Sequence, residues 1–374
     1  ASDVYKRQVV CGTVSAQITL VKDGKSSARI IVQDKMPNSK TSAQFLQRFL
    51  TEISGVALPI ENDKTPRKGD ILIGGQSSAE VTEDGFSIST QDGILKISGK
   101  ENGVVYGVVT LLEQYLGIDY WGENEYSLTP SKTVNLPFIN KVENPGFRYR
   151  QTQCYAIHTD SIYKWWNRLE EPNEVFAAGY WVHTFDKLLP SSIYGKEHPE
   201  YYSYFKGKRH PGKASQWCLS NPEVFEIVAQ RVDSIFKANP DKHIMSVSQN
   251  DGNYTNCTCD ACKAIDDYEG ALSGSIITFL NKLAARFPDK EFSTLAYLYT
   301  MNPPKHVKPL PNVNIMLCDI DCDREVTLTE NASGKEFVKA MEGWSKITNN
   351  IFVWDYGINS VSYTHLTLPT NSRV

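Results

Sequence analysis

The sequence predicts an α/β protein in which a small N-terminal α+β sandwich precedes a (β/α)8 barrel of the TIM type, truncated near its C-terminus. Three observations lead to this prediction. The chain has 374 residues, enough for roughly two or three domains. Its first third combines hairpin turns with amphipathic helices. From residue 146 onward, strand-like segments alternate with helices, which is the pattern of parallel βα units.

The composition excludes several classes of function. The formal net charge is −4, from 39 basic and 43 acidic residues, so nothing indicates a nucleic-acid partner. No apolar run approaches the length of about 18 residues that a membrane span needs. Aromatic side chains are frequent, with 19 Tyr, 15 Phe and 7 Trp. Because sugar faces stack on aromatic rings, we expect a carbohydrate partner.

Both ends of the chain are set aside before the fold is predicted. Residues 3–8 and 361–365 can be encoded by opposite strands of one short DNA, so residues 1–8 and 361–374 resemble translated sequencing adapter around a metagenomic gene fragment. Residues 9–16 are apolar, then small, and end in Val-Ser-Ala, which is typical of a secretory signal peptide. We therefore expect an exported protein, located in the periplasm, at the cell surface or outside the cell. The alternative is an ordinary first strand.

Residues 17–140 predict the accessory sandwich. Asp23-Gly24 and Asp92-Gly93 each stand between strand-like segments, which indicates two hairpins, and residues 70–74 read as a buried strand. Residues 42–53 have helical periodicity and stop at Gly55, a residue typical of helix ends. Residues 103–116 form a second predicted helix. A proline-punctuated linker follows at residues 131–145.

Residues 146–360 predict the barrel. The predicted strands are residues 146–154, 179–185, 216–220, 243–249, 292–299, 313–318 and 351–354. Clear helices cover residues 222–238, with Asn221 as the cap, and 273–287. A doubly wound sheet is the alternative, but no glycine-rich phosphate loop follows its first strand.

Several motifs resemble a domain-of-unknown-function family of secreted bacterial proteins in the glycoside-hydrolase barrel superfamily. They are His183-Thr184-Phe185, the segment 197–202, Cys218-Leu219-Ser220-Asn221-Pro222, the segment 246–251, Cys257-x-Cys259-x-x-Cys262, and Leu298-Tyr299-Thr300 with Pro303-Pro304. Residues 103–108 and 111–113 resemble the domain that precedes α-glucuronidase and hexosaminidase barrels. The resemblance implies a fold and a superfamily, but no substrate.

Glycoside hydrolysis needs two carboxyl groups, one that donates a proton and one that is ionised. Asp251 follows the fourth predicted strand, where related hydrolases place the acid, usually as Glu. That role requires burial or a nearby carboxylate to raise the pKa of the donor. The alternative for Asp251 is a turn that caps the strand, because Asn-Asp-Gly favours turns by itself.

The second carboxylate is expected after the sixth or seventh strand. Asp319, Asp321 and Asp355 stand there, and the resemblance to α-glucuronidases implies base-side carboxylates at these positions. Strands four and seven face each other across a barrel, so their ends would flank a sugar. The alternative for each aspartate is a loop cap or an ion-pair partner.

The candidate substrate-binding residues stand at or near strand ends. They are Trp181, His183, Trp217, Gln249, Asn250, Tyr299 and Trp354, with Tyr297 as a further ring in the same region. The aromatic rings are candidates for the floor of a sugar site. His183 and Gln249 are candidates for hydrogen bonds to sugar hydroxyls. The alternative is that they are core aromatics and satisfied polar groups of the barrel.

The cysteines between residues 257 and 262 allow two interpretations. Cys257-x-Cys259-x-x-Cys262 has the spacing of a metal knuckle, with Cys322 or Cys318 as the fourth thiolate. Disulfides are the alternative, and the expectation of export favours them. We therefore expect no cofactor, with zinc at Cys257, Cys259, Cys262 and Cys322 as the other hypothesis.

Together these observations predict an exported glycoside hydrolase that acts on complex glycans through two carboxylates. A non-catalytic glycan-binding protein on a degenerate hydrolase barrel is the alternative, because the position of the acid holds Asp instead of Glu. A structural cell-surface module is a third hypothesis.

Overall fold

A computed structural model describes residues 18–33, 38–323 and 326–356 of the chain. The predicted leader at residues 9–16 and the adapter-like ends, residues 1–8 and 361–374, lie outside the described residues. The chain divides into two compact units between Glu171 and Pro172, whereas the sequence places the linker at residues 131–145. Within the described ranges, no helix is both long and apolar enough to cross a membrane.

The first unit is built around a six-stranded mixed sheet of order β10-β5-β6-β4-β2-β3. Strands β2, β3, β4 and β6 run parallel to one another. At one edge, β5 pairs antiparallel with β6, and β10 pairs antiparallel with β5. Its elements are β1 Ile18–Val21, β2 Ile30–Gln33, α1 Ser39–Ser54, β3 Ile60–Asn62, β4 Ile71–Gly74, β5 Phe86–Ser89, β6 Leu95–Gly99, α2 Gly103–Thr110, β7 Asp119–Gly122, β8 Glu125–Ser127, β9 Val134–Leu136, β10 Asn140–Glu143, α3 Ala156–Thr159 and α4 Ser161–Trp166.

Two helices of the first unit form as their sequences predict. Helix α1 buries an apolar stripe that includes Phe45, Phe49 and Ile53. It ends at Gly55, whose backbone has φ of 76° and whose N–H donates to the Thr51 carbonyl. That left-handed conformation favours glycine because a side chain would be strained there. Helix α2 is buried along its whole length.

One of the two predicted hairpins is wrong. Strand β1 turns at Asp23-Gly24, but it pairs antiparallel with β9 instead of β2. Strand β2 joins the main sheet in parallel with β3 and β4. The second hairpin is confirmed: β5 and β6 pair antiparallel on either side of Asp92-Gly93.

The second unit contains a four-stranded parallel sheet of order β13-β14-β15-β16. Helix α8 begins at the predicted cap, because the Asn221 side chain accepts hydrogen bonds from the backbone of Glu223 and Val224. The elements are α5 Pro172–Val175, α6 Phe185–Leu188, α7 Ser191–Tyr194, β11 Tyr204–Phe205, β12 Lys208–Arg209, α8 Pro222–Ala238, β13 Ile244–Ser246, α9 Asp260–Glu269, α10 Gly274–Arg286, β14 Glu291–Ala296, β15 Val313–Cys318, α11 Ala332–Ser345 and β16 Ile351–Trp354.

The described residues contain no closed barrel, and this corrects the sequence prediction. The parallel sheet is open, and the predicted strands at residues 146–154, 179–185 and 216–220 do not form. Only single bridges remain near two of them, Phe176 with Ile244 and Tyr202 with Trp217. Phe185 and Trp217 are buried by stacking on each other at 3.7 Å between ring centroids. An apolar run can therefore be buried here by side-chain packing without a strand ladder.

Candidate active site and cysteine cluster

The carboxyl ends of the four parallel strands place polar and aromatic side chains along one edge of the sheet. The chain leaves β13 and reaches Asp251 after five residues, Tyr297 directly follows β14, and Asp319 directly follows β15. Asp355 and Tyr356 follow β16. In parallel α/β sheets this is the edge where ligands bind.

Asp251 is hydrogen-bonded to a tyrosine from the neighbouring strand. The Tyr297 hydroxyl donates to Oδ1 of Asp251 at 3.2 Å. Asp251 is exposed, whereas Tyr297 is buried. Burial and the negative charge of Asp251 raise the pKa of Tyr297 to about 12, so its phenol remains a hydrogen-bond donor at neutral pH.

Asp319 is buried beside the start of the segment that follows β16. Its Oδ1 accepts a hydrogen bond from the backbone N–H of Tyr356 at 2.9 Å. The pKa of Tyr356 is raised, first by burial and then by neighbouring negative charges that include Asp251 and Asp319. The charge of Asp321 also raises the pKa of Tyr297. The charges of three of the four predicted carboxylates, Asp251, Asp319 and Asp321, therefore raise the pKa of Tyr297, of Tyr356, or of both.

Three aromatic rings stack in a column beside these carboxylates. The rings of Trp181 and Trp354 are 4.8 Å apart with an interplanar angle of 16°. Trp354 and Tyr356 are 5.6 Å apart at 12°. The three rings also pack in one cluster with Tyr297 and Cys318. Trp181 and Trp354 are thus brought together as predicted from their positions in the sequence.

His183 contacts both the loop after β13, at Gln249, and the ring of Tyr297. Its Nδ1 is 2.8 Å from the backbone carbonyl of Gln249, and its ring meets Tyr297 edge-on at 5.9 Å. A carbonyl oxygen only accepts, so Nδ1 carries the proton, and Nε2 is the acceptor in the neutral ring. His183 has a positive φ of 50°.

Two predicted polar ligands are buried in structural hydrogen bonds. The Gln249 amide donates to the Tyr297 carbonyl and to the Thr300 hydroxyl. The Asn250 amide donates to the Ser215 carbonyl, and its oxygen accepts from the backbone of Asp186. Both side chains hold loops together, so they fit the structural interpretation.

Trp217, Tyr299 and Asp355 are the remaining predicted site residues. Trp217 belongs to the main core of the second unit. Burial, followed by the charge of Asp266, raises the pKa of Tyr299. Asp355 is exposed. Tyr356 was not predicted, although its position just after a strand is a signal that could have indicated it.

Four cysteines meet in a second place in this unit. The Sγ atoms of Cys218, Cys257, Cys259 and Cys262 lie within 4.8 Å of one another. The sequence predicts Cys322 or Cys318 as the fourth member, but the structure places Cys218 there. Cys322 belongs to the main core, and its thiol contacts the Ser333 carbonyl. Hydrogen bonds from the Cys257 and Cys262 thiols, together with Ser220 and Arg209, lower the pKa of Cys218.

Comparison with protein families gives two matches. Residues 120–372, more than half of the chain, match a family described as "Domain of unknown function (DUF4838)". Residues 18–117 match the family description "Glycosyl hydrolase family 20, domain 2". No match to a curated protein was found.

Solved structures with a similar course of the chain include three glycoside hydrolases. A β-N-acetylhexosaminidase from Bacteroides fragilis is 10% identical, and the match covers 91% of this chain and 75% of that one with a TM-score of 0.45. A GH20 exo β-N-acetylglucosaminidase from Vibrio harveyi, in complex with N-acetylglucosamine, is 12% identical, with 91% and 60% covered and a TM-score of 0.41. CpGH89 from Clostridium perfringens, in complex with GlcNAc-alpha-1,4-galactose, is 10% identical, with 77% and 40% covered and a TM-score of 0.46.

Proposed function

The chain belongs to the DUF4838 family, and from its own site we propose that it is a glycoside hydrolase acting on complex glycans. One observation carries the proposal. An exposed carboxylate, Asp251, is held by Tyr297 at the carboxyl edge of a parallel sheet, beside the stacked rings of Trp181 and Trp354. A carboxylate next to an aromatic platform supplies one of the two carboxyl groups that glycoside cleavage requires, together with a surface for the sugar ring. The family 20 match of residues 18–117 is consistent with this class of enzyme.

We assign Asp251 the role of the ionised carboxylate. An acid that donates its proton at neutral pH is usually buried, but Asp251 is exposed. The hydrogen bond from Tyr297 is one that an ionised carboxylate accepts well. Asp251 would therefore activate water or stabilise positive charge on the sugar, in place of the acid role that the sequence predicts.

The proton donor is then expected on the segment after β15. Asp319 and Asp321 both stand there, and their charges act on Tyr356 and Tyr297 respectively. Asp355 follows β16 on the same edge but is exposed, as Asp251 is, so the buried Asp319 is the first candidate for the donor. A donor variant should lose most activity on substrates with poor leaving groups, because good leaving groups need no protonation.

The aromatic column is the proposed platform for the sugar ring. Trp181, Trp354 and Tyr356 form a stack of parallel rings, and the C–H face of a sugar would extend the stack at an end ring such as Trp181. His183 would accept a hydrogen bond from a sugar hydroxyl at Nε2, because its Nδ1 is engaged by Gln249. We also propose that the protein is exported, on the signal-like pattern of residues 9–16.

A glycan-binding protein without catalysis is the second candidate. The exposure of Asp251 favours it, because an open carboxylate can simply accept hydrogen bonds from sugar hydroxyls. A screen of aryl glycosides and glycan fragments, read for both release of product and binding, separates the two. Turnover that falls in Asp251→Asn and persists in the exposed control Asp289→Asn supports the enzyme. Binding with no turnover on any substrate supports the second candidate.

A further inference from the structure

We propose that Cys218, Cys257, Cys259 and Cys262 bind one Zn²⁺ ion as four thiolate ligands. The proposal is independent of whether Asp251 is catalytic. These four cysteines form a single group whose sulfur atoms all face one another. None of the four is paired in a disulfide in the described structure.

The spacing of the sulfur atoms matches a tetrahedral metal site. The Sγ of Cys218 is 3.6 Å from that of Cys259 and 4.0 Å from that of Cys262. Four sulfurs placed tetrahedrally at about 2.3 Å from zinc are about 3.8 Å from one another. Sulfurs in a disulfide are about 2.05 Å apart. The four thiols are therefore arranged around a centre instead of in two close pairs.

The chain presents the ligands in the way that structural zinc sites do. Three come from the knuckle Cys257-x-Cys259-x-x-Cys262, and the fourth, Cys218, lies just before helix α8. Cys259 precedes helix α9, and Cys262 is in its first turn. Backbone N–H groups at a helix start favour negative charge, which suits thiolates.

Hydrogen-bond donors around the sulfur atoms would offset the net negative charge of four thiolates bound to one Zn²⁺. The backbone N–H of Tyr204 donates to the Sγ of Cys257 at 3.3 Å, and the Arg209 guanidinium donates to the same atom at 3.5 Å. Both residues belong to the β11–β12 hairpin. The Ser220 hydroxyl is 3.1 Å from the Sγ of Cys262. Such hydrogen bonds to ligand atoms are the usual outer shell of a metal site.

The ion would join three segments that frame the loop after β13. Cys218 follows Gln216, whose side chain makes two hydrogen bonds to the backbone of Asn250. Thr258, between two ligands, donates to the Tyr204 carbonyl of the β11–β12 hairpin. The metal would therefore hold both sides of the loop that carries Asp251. Its role is structural, because four protein ligands leave no open position for a substrate.

The test is metal content and coordination of the full chain. Protein purified under reducing conditions and titrated with Zn²⁺ should bind one ion per chain, measured by elemental analysis. Replacement by Co²⁺ should give the intense visible bands of a tetrahedral thiolate complex. Cys218→Ser should lower the affinity for Zn²⁺ by more than about 10-fold, because loss of an outer-shell partner alone costs about 10- to 100-fold, whereas Cys154→Ser, at an exposed cysteine outside the group, should leave it unchanged.

Three results would overturn the proposal. The first is a folded wild-type protein that binds no Zn²⁺ and gives no tetrahedral Co²⁺ spectrum. The second is disulfides among these four cysteines, identified by mass spectrometry in protein isolated without reductant and free of metal. The third is Cys218→Ser that binds Zn²⁺ as tightly as wild type. The Co²⁺ spectrum needs no variant, so the test remains decisive even if a Cys218 variant fails to fold.

Discussion

The hydroxyl of Tyr297 donates a hydrogen bond to Oδ1 of Asp251 and thereby links the ends of two neighbouring parallel strands. The bond joins a buried ring to an exposed carboxylate. It fixes the orientation of Asp251 without enclosing it. The same phenol meets the ring of His183, so Tyr297 stands at the centre of the proposed site.

Tyr297→Phe should remove this hydrogen bond and keep the packing of the ring. We expect a loss of unfolding free energy of about 0.5–1.5 kcal/mol, the usual contribution of one hydrogen bond, measured by urea denaturation. Glycoside turnover should also fall, because Asp251 loses its fixed orientation. A variant with wild-type turnover would show that this bond does not position the carboxylate.

The same tyrosine predicts a pH dependence at the alkaline end. The pKa of Tyr297 is raised to about 12 in the folded protein, whereas an unfolded chain ionises its tyrosines near about pH 10. Between those values the unfolded state releases protons and the folded state does not, so stability falls as pH rises. Other tyrosines contribute as well, so the loss should be smaller in Tyr297→Phe than in wild type, measured by denaturation at pH 9 and 11, on either side of about pH 10.

Trp354→Ala should weaken glycan binding indirectly, because the aromatic column loses the ring that holds its two end rings parallel. Trp354 is the middle ring, stacked on Trp181 on one side and on Tyr356 on the other, so a sugar would meet an end ring of the column and not Trp354 itself. An aromatic contact contributes about 0.5–1.5 kcal/mol beyond burial, which corresponds to a change in Kd of about 2- to 12-fold. Trp354→Phe retains a ring and should recover part of the affinity, measured by calorimetry. Equal affinity in Trp354→Ala would exclude this column as the sugar platform.

Asp266 should destabilise the protein at neutral pH. It is buried, and burial raises its pKa to about 6 even though its Oδ1 accepts a hydrogen bond from the Ser275 backbone. Stability is then greatest below the unfolded pKa of about 3.9 and is lost as pH rises through about 6. Asp266→Asn should increase the unfolding free energy at pH 7 by at most about 3 kcal/mol. The exposed control Asp289→Asn should change the unfolding free energy little. A gain of the same size at pH 4 would refute the ionisation argument.

The buried strands of the second unit are the part of the fold that sequence predicts best. Every residue of Val313–Cys318 is buried and all but Asn314 are apolar, and such a nearly continuous apolar run is typical of a parallel strand. Residues 179–185 and 216–220 are also apolar in places, but the apolar rings of Phe185 and Trp217 are buried by stacking on each other, without a strand ladder. An apolar pattern in the sequence therefore predicts that side chains are buried, but it does not predict whether a strand or a side-chain contact buries them.

The candidate site was predictable where it follows strand ends and not where it depends on distant contacts. Asp251, Asp319, Trp181 and Trp354 were found because they stand near predicted strand ends. Asn250 is also at a predicted strand end, yet its side-chain amide is already hydrogen-bonded to the backbone of Ser215 and Asp186. Cys218 is 41 residues from Cys259, and no spacing rule connects two residues that only the tertiary fold brings together.

The measurement that tests the central claim most directly is the hydrolysis of an aryl glycoside by wild type and by Asp251→Asn, with and without azide. Asn keeps the size of the side chain but cannot activate water, so kcat should fall by roughly 10²–10⁴-fold. Azide, a small nucleophile that needs no base, should restore part of the rate and form a glycosyl azide. Substrate binding should be largely retained in the variant. Wild-type turnover by Asp251→Asn would contradict the account.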